Sequence, residues 1–205
     1  MMKMQLLIGK LTDVSMVTTL IELMEAHCDD FPECRQKYLA AVERLGRELG
    51  EKYGDQVTAV TEAVEKRIAS DMICAGYLGF QANLQNFEDP SAKCFLEVDP
   101  EVYLCESIAH SLPAYERAQR IMYAFWNFLS EKQQDDYIDI IEYCCYLETM
   151  GPKLAHYYGY CFANQFLCYV EPGYVPDGVQ TNQYTQMLSD IVGENVLDAV
   201  VKSMS

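Results

Sequence analysis

Apolar residues recur at intervals of three and four along most of this 205-residue chain, a periodicity that is typical of helices. In the first such segment, Val17, Ile21 and Met24 fall on one face of a helix that could start at the capping residue Asp13. No segment shows the alternation of apolar and polar residues that marks a half-buried strand. The pattern therefore predicts an all-α fold, a helical bundle of about seven or eight helices.

Prolines and glycines divide the periodic segments into separate helices. In the first half the predicted helices cover residues 13–28, 32–49 and 55–87, the last being one helix or two. Residues 88–100 contain two prolines and several turn formers, so we expect them to connect two halves. In the second half, a short helix is predicted after Pro100 and a second helix from Pro113 to Leu129. A third helix, around Tyr137, is expected to end at Gly151-Pro152, and a fourth runs from Leu154 to Tyr169. The last predicted helix covers about residues 182–203, and Gly193 could interrupt it.

The predicted helix over residues 55–87 carries an apolar stripe that defines its expected buried face. The stripe consists of Val57, Val60 and Val64, followed by Ala69, Ile73, Tyr77, Phe80, Leu84 and Phe87. Side chains at this spacing lie on one side of a helix, so we expect all of them to face the core.

The two halves of the chain resemble each other when one is shifted by 80 residues. Seven identities then fall without a gap between residues 51–84 and 131–164; they pair Glu51-Lys52, Asp55, Glu62, Ala75, Tyr77 and Gly79 with Glu131-Lys132, Asp135, Glu142, Ala155, Tyr157 and Gly159. The order of helices also agrees. We therefore predict two repeats of a three-helix unit plus a C-terminal helix, with boundaries at 1–88 and 99–205, as two units or as one compact domain.

Each predicted repeat ends in a segment of glycine and aromatic residues, Gly79-Phe80-Gln81-Ala82 and Gly159-Tyr160-Cys161-Phe162-Ala163. These segments, with the acidic helices before them, resemble a family of small helical bacterial domains of unknown function, here present as a tandem duplication. The resemblance covers about residues 15–87 and 100–168. It implies a helical fold and brings no known activity or catalytic residue.

The chain is strongly acidic, with 31 Asp and Glu against 15 Lys and Arg and a formal net charge of −16. This charge disfavours direct binding to nucleic acids and to acidic membranes, which depends on Lys and Arg. The N-terminal apolar run is too short for a secretory signal, and no segment has the apolar length of a membrane span, so we expect a cytoplasmic protein. Its nine cysteines are expected to be reduced.

No motif in the sequence identifies a reaction, and no metal or cofactor is expected. The Glu-x-x-His pairs of di-iron bundles and the C-x-x-C of redox and zinc sites are absent. Glu106 and His110 are spaced i, i+4 and could form half of a metal site, although an ordinary contact on a helix surface explains this single pair better. The densest acidic cluster is Asp135, Asp136, Asp139 and Glu142, which we interpret as a solvated helix face.

These observations favour a non-enzymatic helical module that mediates interaction or regulation by binding a protein partner or a second copy of itself. One alternative is an enzyme whose site lies between helices near His110 or His156. A second alternative is an acidic mimic of nucleic acid that inhibits a protein binding DNA or RNA.

The helix predicted from Leu154 to Tyr169 is apolar on nearly all sides, which makes it the best candidate for an interface. Its candidate interface residues are Tyr157, Tyr158, Tyr160, Phe162, Phe166 and Tyr169. The predicted C-terminal helix could instead cover this surface within one chain.

Overall fold

The computed structural model describes residues 14–88, 113–175, 189 and 193–204. Regular structure in these ranges is helical: α1 (Val14–His27), α2 (Phe31–Glu88), α3 (Pro113–Phe128), α4 (Glu131–Val170) and α5 (Glu194–Ser203). The all-α prediction is confirmed. The count of seven or eight helices is not supported, because the described ranges contain five. Glu106, His110 and the short helix predicted after Pro100 lie outside the described residues.

The long helix α2 consists of two segments that meet at Gly50. Gly50 has φ 64° and ψ −173°, a conformation outside the helical region that only glycine adopts readily. Before it, Arg44 bonds to Asp136 and Asp139 while Glu48 bonds to Lys132, so α2 and α4 run antiparallel. After it the chain has turned around, and residues 51–88 follow α4 in the parallel direction.

The parallel direction is evident from three contacts in order along the two helices. Arg67 pairs with Glu148, Met72 packs on Gly151, and Asn83 bonds to the carbonyl of Tyr160. Residue numbers rise together in both helices. The central layer of the fold is therefore α4 between the two segments of α2.

Helix α4 continues through Gly151 and Pro152, so the prediction that this pair ends one helix and starts another is wrong. A proline inside a helix removes one backbone hydrogen bond and costs about 3 kcal/mol. Gly151 and Pro152 are both buried, and Met72 of α2 lies 3.0 Å from where a side chain on Gly151 would begin. We infer that this burial against α2 offsets the cost of the proline.

The closest approach of the two long helices occurs one turn further along. A Cβ on Gly79 would overlap the backbone carbonyl of His156, and a Cβ on Gly159 would overlap that of Gly76. Only glycine fits at Gly79 and Gly159. The buried face of α2 is therefore centred here on small residues. Tyr77 and Phe87, which the predicted stripe placed in the core, are instead 43% and 41% exposed.

The remaining helices cover this central layer. Helix α3 packs mainly against α2, and it contacts the start of α4 through side chains such as Tyr137, whose hydroxyl donates to the carbonyl of Met122 at 3.0 Å. Helix α1 packs on the second segment of α2, with Met16 against Gly76. Helix α5 follows Gly193, which has a positive φ, and contacts α1 and α4. Within the described residues, no helix combines the length and apolar character needed to cross a membrane.

Candidate functional site

A cluster of charged side chains lies inside the packed layer where α2, α3 and α4 meet. The Arg67 guanidinium donates two hydrogen bonds to the Glu148 carboxylate, the one from Nη2 at 3.0 Å. Its Cζ also lies 4.9 Å from the ring centre of Tyr115 on α3. Arg67 therefore joins three helices through one ion pair and one cation–π contact.

Asp71 belongs to the same cluster and is the least favourably placed polar side chain described. It is 1% exposed, and neither carboxylate oxygen has a hydrogen-bond partner. The pKa of Asp71 is raised to about 7, mainly by burial and also by the nearby Glu148, while Arg67 opposes the change. Asp71 could not be singled out from the sequence, because a single Asp within a helix carries no periodic signal.

His156, one of two histidines proposed for an enzyme site, lies in the core at the close crossing of α2 and α4. Its side chain is 3% exposed, and burial lowers its pKa to about 4. The imidazole is therefore neutral at physiological pH and shielded from solvent. His110, the other candidate, is outside the described residues.

Five of the described cysteine thiols are not activated as nucleophiles. Burial raises the pKa of Cys144 well above its usual value, and that of Cys161 to about 11. The pKa of Cys28, Cys34 and Cys74 is also raised, mainly by burial. Because the thiolate is the reactive form, these residues behave as small core side chains.

The acidic cluster on α4 is partly a contact between helices. Asp136 and Asp139 accept hydrogen bonds from Arg44 at 2.6 and 3.0 Å, whereas Asp135 and Glu142 are exposed. The interpretation as a solvated face therefore holds for two of the four.

An open cavity of about 230 Å³ adjoins the acidic cluster and is lined by Asp30, Glu33, Cys34, Lys37, Asp139, Glu142 and Tyr146. Across the described ranges, no group of three or more His, Cys, Asp and Glu side chains is arranged to hold a metal ion.

The predicted aromatic interface is divided between core and surface. Tyr157 and Phe162 are buried, and Phe166 packs edge-on against Phe80 with ring centres 5.6 Å apart. Tyr158 and Tyr160 are partly buried. Tyr169 is 63% exposed near the end of α4.

Part of the aromatic surface is covered from within the chain. Gln165 donates to the carbonyl of Met204 just beyond α5 at 2.9 Å. The pKa of Tyr157 is raised mainly by burial, and the nearby Asp198 of α5 adds to the effect. Helix α5 and Met204 therefore cover α4 near Tyr157 and Gln165.

The shared end of the parallel helices leaves several apolar side chains exposed. Val170 ends α4 and Phe87 is the penultimate residue of α2, so both lie at this end together with Tyr169 and Val175. Their exposed fractions range from 41% to 80%. Glu88 and Glu171 are exposed beside them.

Hydrogen bonds hold this end of the molecule in a defined shape. The Asn164 side-chain oxygen accepts from the Asn83 amide at 2.9 Å and from the Tyr174 hydroxyl at 2.8 Å. The ring of Tyr174 in turn packs edge-on against Phe87, with centres 5.3 Å apart. We call the exposed residues Phe87, Tyr169, Val170 and Val175 the end patch.

Comparison of the chain with protein-family models, curated proteins and solved structures finds no match. The geometry of the described residues is therefore the basis for proposing a function.

Proposed function

We propose that this chain is a non-enzymatic helical module that binds a partner protein through the end patch. The observation that carries this proposal is the exposure of Tyr169, at 63%, beside three further apolar side chains on a hydrogen-bonded scaffold. Exposed aromatic residues on a preorganised surface are typical of protein interfaces.

The charges around the end patch favour a basic partner over a second copy of the chain. Glu88 and Glu171 are exposed next to the patch, and the whole chain has a formal net charge of −16. Two copies docked on this patch would bring like charges together, whereas a partner with an apolar centre and a rim of Lys or Arg would complement them.

The enzyme alternative receives less support from the described residues. His156 is enclosed at a helix crossing, and the buried thiols have raised pKa values. The mimic alternative depends on the net charge, and Arg44 neutralises part of the densest acidic cluster.

Site-specific photocrosslinking in the native cell tests the proposal. A benzoylphenylalanine replaces Tyr169, and the matched control carries it at Tyr123, which is 70% exposed on α3, away from the end patch. We expect a covalent adduct with one other polypeptide from position 169 and none from position 123. When the crosslinking is repeated in an extract of these cells, the yield should fall as added salt screens the attraction to a basic partner.

Three outcomes would contradict the proposal. Equal adducts from both positions would indicate random collision. An adduct of twice the chain mass would indicate self-association, which salt should strengthen. A crosslink within one chain would show that the patch is covered by the chain itself.

We also propose that the chain arose by duplication of a helical unit. Reciprocal contacts support this: Gly79 meets His156, and Gly159 meets Gly76, each residue being matched with its counterpart 80 positions away. The expected result is that residues 13–87 superpose on residues 100–168, helix for helix, in a crystal structure of the chain. Opposite handedness of the two helix pairs would contradict it.

A further inference from the structure

We propose that Asp71 is a proton-sensitive switch that sets how firmly α3 packs against α2 and α4. The switch consists of two carboxylates, Asp71 and Glu148, and one guanidinium, Arg67; Asp71 is shielded from water, and the other two are largely buried. Asp71 is 1% exposed and has no hydrogen-bond partner, so nothing in the described packing satisfies its ionised form.

The groups around Asp71 come from each helix that meets there. On α2 they are Arg67 and Cys74, one turn before and almost one turn after Asp71. On α4 they are Glu148 and Cys144. Helix α3 contributes Tyr115, whose ring lies against Arg67. Arg67 is the cation that acts on Asp71.

In the protonated state Asp71 is neutral, and Arg67 binds Glu148 alone. Both hydrogen bonds of the guanidinium then go to one carboxylate, and its flat face is held 4.9 Å from the centre of the Tyr115 ring. This arrangement fastens the first turns of α3 to the core.

Loss of the Asp71 proton places two negative charges beside one positive charge. Arg67 and Asp71 are spaced i, i+4 on the same face of α2, so the guanidinium can turn toward Asp71. Doing so weakens its bonds to Glu148 and withdraws it from Tyr115. Deprotonation should therefore loosen the N-terminal part of α3 while the contact between Tyr137 and Met122, further along α3, remains.

The test combines carbon-13 NMR of the Asp71 carboxyl with amide hydrogen exchange, both measured from about pH 5 to pH 8. We expect the carboxyl to titrate near neutrality. Over the same range, the protection factors of the amides at residues 117–122, corrected for intrinsic exchange, should fall by about tenfold. In the Asp71→Asn variant, these protection factors should stay high at every pH.

Two further variants keep the test decisive. Asp139→Asn removes a carboxylate that already has Arg44 as partner, so the pH dependence in α3 should be unchanged. Glu148→Gln leaves Asp71 as the one carboxylate beside Arg67, so the titration of Asp71 should move to lower pH. The proposal is overturned by titration of Asp71 below about pH 5, by constant protection across the range, or by the same pH dependence in Asp71→Asn.

Discussion

The backbone carbonyl of His156 occupies the space that a side chain on Gly79 would need, with the carbonyl carbon 2.7 Å from an ideal Cβ. This contact joins the two longest helices at their closest point. Because both partners are backbone or glycine, neither can move aside without shifting a whole helix.

Replacing Gly79 by Ala should therefore destabilise the protein, although Ala is the better helix former. We expect the free energy of unfolding to fall by about 1–3 kcal/mol from overpacking. Gly46→Ala is the matched control: no atom lies within 4 Å of its ideal Cβ, so stability should rise by about 0.5–1 kcal/mol. Urea denaturation followed by circular dichroism measures both. Equal effects of the two substitutions would mean that the helices do not cross here.

Arg67→Met should destabilise the protein far more than Lys66→Met at the neighbouring position. Arg67 and Glu148 have side-chain exposures of 20% and 15%, so removing the guanidinium leaves a buried charge and should cost about 3–5 kcal/mol. Lys66 pairs with Glu62 at 64% and 57% exposure, and its loss should change stability by about 0.5 kcal/mol or less. Chemical denaturation at constant pH compares the two. A small effect at Arg67 would show that Glu148 reaches solvent.

Asp71→Asn should stabilise the protein in a pH-dependent way. The pKa of Asp71 is about 7 in the folded protein and near 3.8 when unfolded, so the folded state holds the proton more tightly in this interval. The contribution of Asp71 to the stability of the wild-type protein should therefore decline as pH rises from about 4 to 7.

The Asn variant lacks this contribution. It should exceed wild type by on the order of 2–4 kcal/mol at pH 8, with the difference shrinking toward pH 4. Melting curves of both proteins across this range give the comparison. A difference independent of pH would exclude titration of Asp71 as its cause.

His156 should produce a pH dependence of the opposite sign. Its pKa is lowered from 6.5 to about 4 by burial, so the unfolded chain binds a proton that the folded protein does not. The resulting stability is present above about pH 6.5 and is lost as pH falls toward 4. Long-range nitrogen-15 NMR should show a neutral imidazole at pH 5, and His156→Gln should reduce the loss of stability in acid. A protonated imidazole at pH 5 would contradict the burial.

Hydrophobic periodicity predicted the buried faces wherever large side chains make the contact. Tyr137, Ile140 and Leu147 on α4 are buried as expected, as are Val57, Val60 and Val64 on α2. Beyond residue 64 the predicted face of α2 is partly wrong, since Tyr77 and Phe87 are exposed. The helices meet there through Gly76 and Gly79, whose lack of side chains gives no hydrophobic signal.

Other features could not be predicted because they depend on residues far apart in the chain. Pro152 lies within a helix that Met72 contacts at the neighbouring Gly151, and Asp71 has a raised pKa because packing buries it and places it near Glu148. For the end patch, the sequence identified Tyr169 among six aromatic residues but could not separate it from the buried Tyr157 and Phe162.

The reversal at Gly50 and the parallel pairing after it have a consequence for folding kinetics. The hydrogen bonds from Arg44 to Asp136 and from Arg67 to Glu148 join residues 92 and 81 positions apart. Most helical bundles fold quickly because their contacts are local. In this chain the helices can form early, yet the contacts that fix the core require closure of very long loops. Its folding rate should therefore resemble that of mixed α/β domains more than that of a simple bundle.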